Sequence, residues 1–184
     1  MTWRQCGRQC AIFLAGILPA MALAGISLST GKDDLPVDPY ARDREEWQEQ
    51  EAAPPPMPKD ADLIEFFAGP NTANRFFIDQ TSLNASADGV VRYVLVVKAA
   101  GGAINATFEG IRCETKEYKL YAMGRADGTW APSRATVWRP VTNSLGNRQR
   151  AVLARDFFCP GGMTIRSAAE GADALRRGKH PAAL

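Results

Sequence analysis

Residues 90–113 read VVRYVLVVKAAGGAINATFEGIRC, and this stretch decides the fold. Its first ten residues, VVRYVLVVKA, are dominated by valine and tyrosine, residue types that fit a pleated, half-buried surface, so a strand is predicted there. Its last ten, INATFEGIRC, form a second. Only residues 100–103 with Gly101 and Gly102 separate them, and a connection this short joins antiparallel neighbours, because a parallel crossover needs a dozen or more residues. With the turn placed at 100–103, Tyr93, Leu95 and Val97 share a face with Phe108. Arg92, Val94, Val96 and Lys98 then share the other face with Thr107, Glu109, Ile111 and Cys113. The first face is apolar and the second mixed.

Working outward, residues 75–79 (RFFID), 117–125 (EYKLYAMGR) and 135–141 (ATVWRPV) are further strand candidates, with Asp88-Gly89 and Asp127-Gly128 as turn formers. A meander of about five strands follows. The period then changes. In residues 143–158 (NSLGNRQRAVLARDFF), Leu145, Val152, Leu153 and Phe157 fall on one helical face, with Asn143 or Asn147 available as a cap. Residues 167–177 (SAAEGADALRR) carry Gly171 and only Leu175 as a large apolar residue, which predicts a marginal helix or a frayed tail. The expected class is α+β: an antiparallel meander sheet of about five strands with one or two C-terminal helices packed on it.

The start of the chain reads as an export signal. Arg4 and Arg8 precede an apolar run over residues 11–24 that Pro19 interrupts and Ala22-Leu23-Ala24 ends. A basic start, a short apolar middle and a small-residue exit describe a secretory signal, and the run is too short for the roughly twenty residues of a membrane span. Cleavage is expected before Gly25, taking Cys6 and Cys10 with it. Cys113 and Cys159 then remain. In an exported domain such a pair is most simply one disulfide, tying the end of a strand to the end of the following helix. Two cysteines alone make a poor metal site, and no Cys-x-x-Cys suggests redox catalysis.

Past the signal the charges cancel but are unevenly spread. Residues 32–65 hold eleven acids against four bases, and residues 66–184 hold nine acids against sixteen bases. The acidic part contains Pro36, Pro39, Pro54, Pro55, Pro56 and Pro58, and it reads either as a solvated tether or as an arm lying on the basic part, with Trp47 as its large apolar anchor. The domain boundaries expected are a signal at 1–24, an acidic proline-rich arm or linker at 25–59, one folded domain at 60–178 and a flexible tail at 179–184.

Chemistry is sparse. The one histidine, His180, sits four residues from the end, so hydrolase arrangements that need a fixed base have none. Asp79, Glu109, Glu114, Glu117, Asp127 and Asp156 show no calcium-loop or metal spacing. No catalytic residue, cofactor or metal is expected. Arg75 beside Phe76 and Phe77 resembles a core edge more than a nucleic-acid reader, and a balanced charge gives little reach for phosphate. The expected role is non-enzymatic, with a surface on the mixed face (Arg92, Lys98, Thr107, Glu109) and Trp47 as the candidate for contact with an envelope protein or ligand; a periplasmic enzyme without a recognisable motif is kept as an alternative. Neither nucleic acid nor a membrane span is expected.

The strings FFIDQTSL and ADGVVRYVLVV within residues 76–97, FEGIRCETKEYKLYAMGRADGTW at 108–130 and NRQRAVLARDFFCP at 147–160, with Trp47 and Glu49 upstream, resemble the CNP1-like family. These are small exported proteins of Gram-negative bacteria with no assigned activity, and the resemblance implies a periplasmic or envelope location. Asp79, Ser82, Cys113, Met123, Gly124 and Cys159 are also similar in order to the adhesin protein E family, which implies a helix held on an antiparallel sheet and, as an alternative, a surface-exposed adhesive role. The lipid-modified cysteine of those proteins has no counterpart after the apolar run.

Overall fold

The computed structural model describes residues 46–70 and 72–183. The expected signal at 1–24 and the arm's first part at 25–45 fall outside them. Seven strands form one antiparallel sheet: β1 (Leu63–Phe66), β2 (Arg75–Ala85), β3 (Val90–Lys98), β4 (Ile104–Arg112), β5 (Glu117–Gly124), β6 (Trp130–Pro132) and β7 (Arg139–Pro140). They lie in the order β1-β2-β3-β4-β5-β6, and β7 also pairs with β5. The α+β meander is as expected, with two strands more. β1 and β6 carry no strand signal of their own and form as short edges on β2 and β5. The expected strand at 135–141 shrinks to β7, where Pro140 has no N–H to extend a ladder.

The three hairpins β2-β3, β3-β4 and β5-β6 turn in the same way. In each, the residue before the loop donates its N–H to the residue four positions on, and a glycine with positive φ closes the loop: Ser86 to Val90, Ala99 to Ala103 and Arg125 to Thr129. Each loop is therefore three residues long, the turn-plus-bulge hairpin that glycine permits. Residues 100–102 connect β3 to β4, not 100–103, and the pairing is Lys98 with Ile104, Val94 with Phe108 and Tyr93 with Glu109. A one-residue change exchanges the faces of a whole strand. The expected grouping is corrected accordingly: Tyr93, Leu95 and Val97 share a face with Thr107, Glu109, Ile111 and Cys113, while Arg92, Val94, Val96 and Lys98 lie with Phe108.

Both faces are covered. On the Tyr93 face the main core joins Tyr93, Leu95, Ile111 and Leu83 to Leu153, Phe157, Phe158 and Leu175 of the helical region. On the other face Phe77, Val94, Val96, Phe108 and Ala122 form a smaller core against Ala52, Tyr121 and Trp130. β3 is buried on both sides from Val90 to Val96, which is why its sequence is a continuous apolar run with little alternation.

Helix α1 (Arg148–Val152) widens into a π-helical stretch (Leu153–Phe158) that the Cys159 N–H closes onto Ala154 O. Cys159 follows it and is bonded to Cys113, the next residue after β4. Leu145, expected on the buried face, is 82 % exposed because the helix begins three residues later. Helix α2 (Ala168–Arg177) is a full element: Ser167 Oγ accepts the Glu170 N–H at its start, and Gly178 at φ 79° ends it. Gly171, which weakens the helix locally, is where α2 approaches β2. A Cβ there would lie 2.6 Å from Ile165 and 2.9 Å from Leu83.

The tail expected to be flexible is fixed at His180. Its N–H donates to Asp156 O, its Nδ1 accepts the Ala182 N–H, and its Nε2 lies 3.1 Å from Glu170 Oε1. His180 is buried because α2 returns the chain to the end of the π-helical stretch.

Candidate functional site

Residues 46–59 have no ladder and little regular structure, yet they are read closely by side chains of the sheet. Trp47 donates from Nε1 to Asp88 O at 2.7 Å. Its ring meets Trp138 edge-on at 5.9 Å and lies under the Arg112 guanidinium at 3.9 Å. Two residues later Glu49 accepts from Lys119 Nζ (2.7 Å), Tyr121 Oη (2.9 Å) and Trp138 Nε1 (3.2 Å). Gln50 is held by its backbone: its N–H donates to Asp88 Oδ2, and its carbonyl accepts from Arg92 Nη2. Trp130 Nε1 then donates to Pro55 O. Of the two readings of the acidic segment, its described part follows the second. The arm lies on the basic side of its own domain, and Trp47 is its anchor.

The electrostatics fit this arrangement. Burial works against the charge of Glu49, but hydrogen bonds from Lys119 and Tyr121 and the charge of Lys119 outweigh it and hold the carboxyl below its ordinary value. Asp88 is likewise lowered: burial opposes its charge, and Arg92 with the backbone N–H groups of Gln50 and Val90 more than compensates. Arg92 and Asp88 form an almost fully buried pair at 2.6 Å. The Tyr121 phenol is raised, chiefly by burial.

Beside the arm, β2 departs from its register. Pairing passes from Asp79 with Val94 directly to Asn84 with Arg92, so that Gln80, Thr81, Ser82 and Leu83 bulge out opposite Tyr93. Asp79 and Ser82 close the gap. Ser82 Oγ donates to Asp79 O and accepts the Val94 N–H, while Asp79 Oδ1 accepts from the Thr81 N–H. Bulges of this kind re-aim side chains and recur next to binding sites. Here the bulge and the arm enclose a pocket of about 460 Å³ with Gln50, Thr81, Asn84, Ser86, Arg92 and Phe108 among its walls. The side chains of Asn84 and Ser86 have no hydrogen-bond partner among the described residues, and Arg92 Nε is buried without one.

The five residues singled out for a contact surface are split by the register. Trp47, Arg92 and Lys98 are on the arm side, where Arg92 is buried under the arm and Lys98 pairs with Asp60 at 2.9 Å. Thr107 and Glu109 are on the helix side. Glu109 is wholly buried there and accepts from Arg150 Nε and Nη2, Thr107 Oγ1 and Tyr93 Oη. Burial and the adjacent Glu109 charge push the Tyr93 phenol well up. For Arg150 burial works the other way, but the Glu109 bonds and charge raise it overall. Glu109 and Arg150 thus tie β4 to α1 beside the disulfide, a structural duty.

In the sequence Asn84-Ala85-Ser86 shows only as a three-residue glycosylation match, and Gln50, a single neutral polar residue, carries no pattern. Trp130 and Trp138 were visible only as turn and strand residues. Among the described residues no group of three or more His, Cys, Asp or Glu side chains could hold a metal ion, and no helix is long and apolar enough to cross a membrane.

Comparison with known proteins gives one consistent result. The family model described as CNP1-like family matches residues 42–176. The protein named Cryptic neisserial protein 1, from Neisseria gonorrhoeae, is 28 % identical over 165 residues, covering 76 % of this chain and 80 % of that protein. No solved structure matches the chain.

Proposed function

The chain belongs to the CNP1-like family, and from that premise we propose that it is an exported cell-envelope protein of the periplasm that acts by binding, not by catalysis, with its ligand surface at the seam between the arm and the β2 bulge. One observation carries the reading. The pocket at the seam offers the side chains of Asn84 and Ser86, which have no partner among the described residues, and its one carboxylate is the exposed Glu51. One carboxylate with no second carboxylate or histidine beside it in the lining does not make a general acid–base pair. Free amide and hydroxyl groups around a concavity suit ligand recognition.

Export is supported by the basic, apolar and small-residue order of residues 1–24 and by the disulfide, a bond that persists in oxidising compartments.

The test is an amide chemical-shift titration of the oxidised protein with a small-molecule fraction of envelope extract. Saturable shifts confined to Thr81, Ser82, Asn84 and Ser86, reduced in Asn84→Ala, are expected. Shifts elsewhere, or none, refute the seam as the site. Location is tested by protease treatment of intact cells: a periplasmic protein survives it, and cleavage would favour the surface-adhesin alternative.

A further inference from the structure

A second concavity, sharing no wall with the seam, lies beside the disulfide. Its volume is about 530 Å³, within the range of small-ligand pockets. Four chain segments form it: the turn after β4, the stretch after β7, the α1 helix with its π-helical continuation, and the loop after Cys159. They are fixed to one another. The Cys113–Cys159 bond joins the first to the last, and the Val141 N–H donates to Lys116 O at 2.8 Å, joining the first to the second. The hollow therefore exists before any ligand arrives.

Its walls explain why none of the described side chains fills it. The helical wall presents Ala151 and Ala154, and the loop presents Gly161 and Gly162. Val141 and the disulfide add apolar surface without filling the space. The charged residues of the lining are both cationic, Lys116 and Arg155. Arg155 is neutralised by the adjacent Asp156, while Lys116 has no ion pair or hydrogen bond from its ammonium among the described residues. Lys116 also sits at φ 55°, a region that side-chain-bearing residues seldom adopt, and the Val141 bond holds that turn in place.

We propose that this hollow binds an amphiphilic carboxylate, a medium-chain alkyl acid, with its chain against Val141, Ala151, Ala154 and the disulfide and its carboxylate on Lys116. An apolar body suits the hollow because Val141, Ala151, Ala154 and the disulfide form a continuous part of its wall, with Asn143 as the one neutral polar side chain of the lining. A negative end is favoured because the exposed Lys116 ammonium at the rim has no partner among the described residues, and a carboxylate there gains a charge-assisted hydrogen bond. A folded protein partner fits poorly, since stable interfaces bury on the order of 1,200–2,000 Å² over a broad surface.

The experiment titrates the full-length oxidised protein with dodecanoate below its micelle concentration, followed by amide chemical shifts, with dodecanol as the uncharged analogue. Saturable shifts at Val141, Ala151 and Gly161 are expected. Lys116→Asn, compatible with the positive φ, should weaken dodecanoate about tenfold and leave dodecanol unchanged. Ala154→Leu should abolish both. Absence of saturable shifts at these residues, or equal dodecanoate affinity in Lys116→Asn, overturns the proposal. So does a concentration-dependent dimer that Ala154→Leu dissolves, which would make a second copy the occupant. If Ala154→Leu does not fold, the Lys116→Asn comparison with the two ligands decides alone. The seam reading is untouched by either result.

Discussion

Replacing Glu109 by alanine should be among the most damaging single changes in the protein. The side chain is fully buried, and its two oxygens take four donors: Arg150 Nε at 2.7 Å, Arg150 Nη2 at 2.5 Å, Thr107 Oγ1 at 2.7 Å and Tyr93 Oη at 3.3 Å. Alanine leaves a guanidinium 13 % exposed and stacked on Tyr118 at 4.4 Å, with no anion to match it. Breaking a buried pair in this way costs about 3–5 kcal/mol. Against a total of about 5–15 kcal/mol for a domain, the loss is a large share. Replacing the pair together, as Glu109→Leu with Arg150→Met, removes both charges and should recover most of it. Recovery is incomplete because the buried Tyr93 hydroxyl still loses its acceptor, at about 1–3 kcal/mol. Urea unfolding of the oxidised proteins, followed by tryptophan fluorescence, measures both. With a urea slope of roughly 1–3 kcal/mol/M, the single variant should lose at least about 1 M in midpoint. A Glu109→Ala midpoint within error of wild type, or a double variant as unstable as the two singles added, would refute the buried-pair argument.

Three further outcomes are expected. Arm docking should weaken in acid: Glu49 and Asp88 are both depressed in the folded state, so their contribution is complete above the ordinary carboxylate range of about 4 and is lost as pH falls through the lower folded values. The red shift of Trp47 emission, compared between wild type and Trp47→Phe, reports it, and a pH-independent spectrum down to the unfolding transition would count against the latch. Cys113→Ser opens a covalent loop with a sequence separation of 46 and should cost about 4 kcal/mol in the chain-entropy model; equal denaturant midpoints for oxidised wild type and variant would contradict it. Gly110→Ala should destabilise by about 1–3 kcal/mol, because its Cβ would fall 2.8 Å from Tyr121 Oη and 2.9 Å from Val90 Cγ1. It should also loosen Glu49 through Tyr121, and an unchanged or raised melting temperature would refute the close-approach argument.

What the sequence displays and what it hides divide along physical lines. β3, β4 and β5 are legible because their apolar content is dense enough to mark a strand in any surroundings. β1 and β6 are not, since Leu63–Phe66 and Trp130–Pro132 become strands only by pairing with neighbours already in place. The face assignment turned on whether the β3-β4 loop has three residues or four, a distinction that two adjacent glycines do not make. The disulfide is legible in the cysteine count once the cysteines of the expected signal are set aside. The arm was only half readable: charge asymmetry and Trp47 pointed to it, but its acceptor is assembled from Asp88, Arg92, Arg112, Lys119, Tyr121, Trp130 and Trp138, spread over fifty residues of chain. For α2, the Ser167 and Glu170 cap was present in the sequence, and Gly171 argued against the helix only because its tight approach to β2 is a tertiary fact.

The arm has a kinetic consequence. Among the described residues, the hydrogen-bond partners of residues 47–55 lie later in the chain, at separations of 38 to 89 residues. In a chain that emerges N-terminus first, this segment is a ligand that precedes its receptor. It must remain unbound while β3, β4 and β5 assemble, and the closure entropy of its contacts falls due at the end. The segment should be the final piece to dock during folding and the earliest to exchange its amide hydrogens, with β3, enclosed on both sides, the slowest to do so.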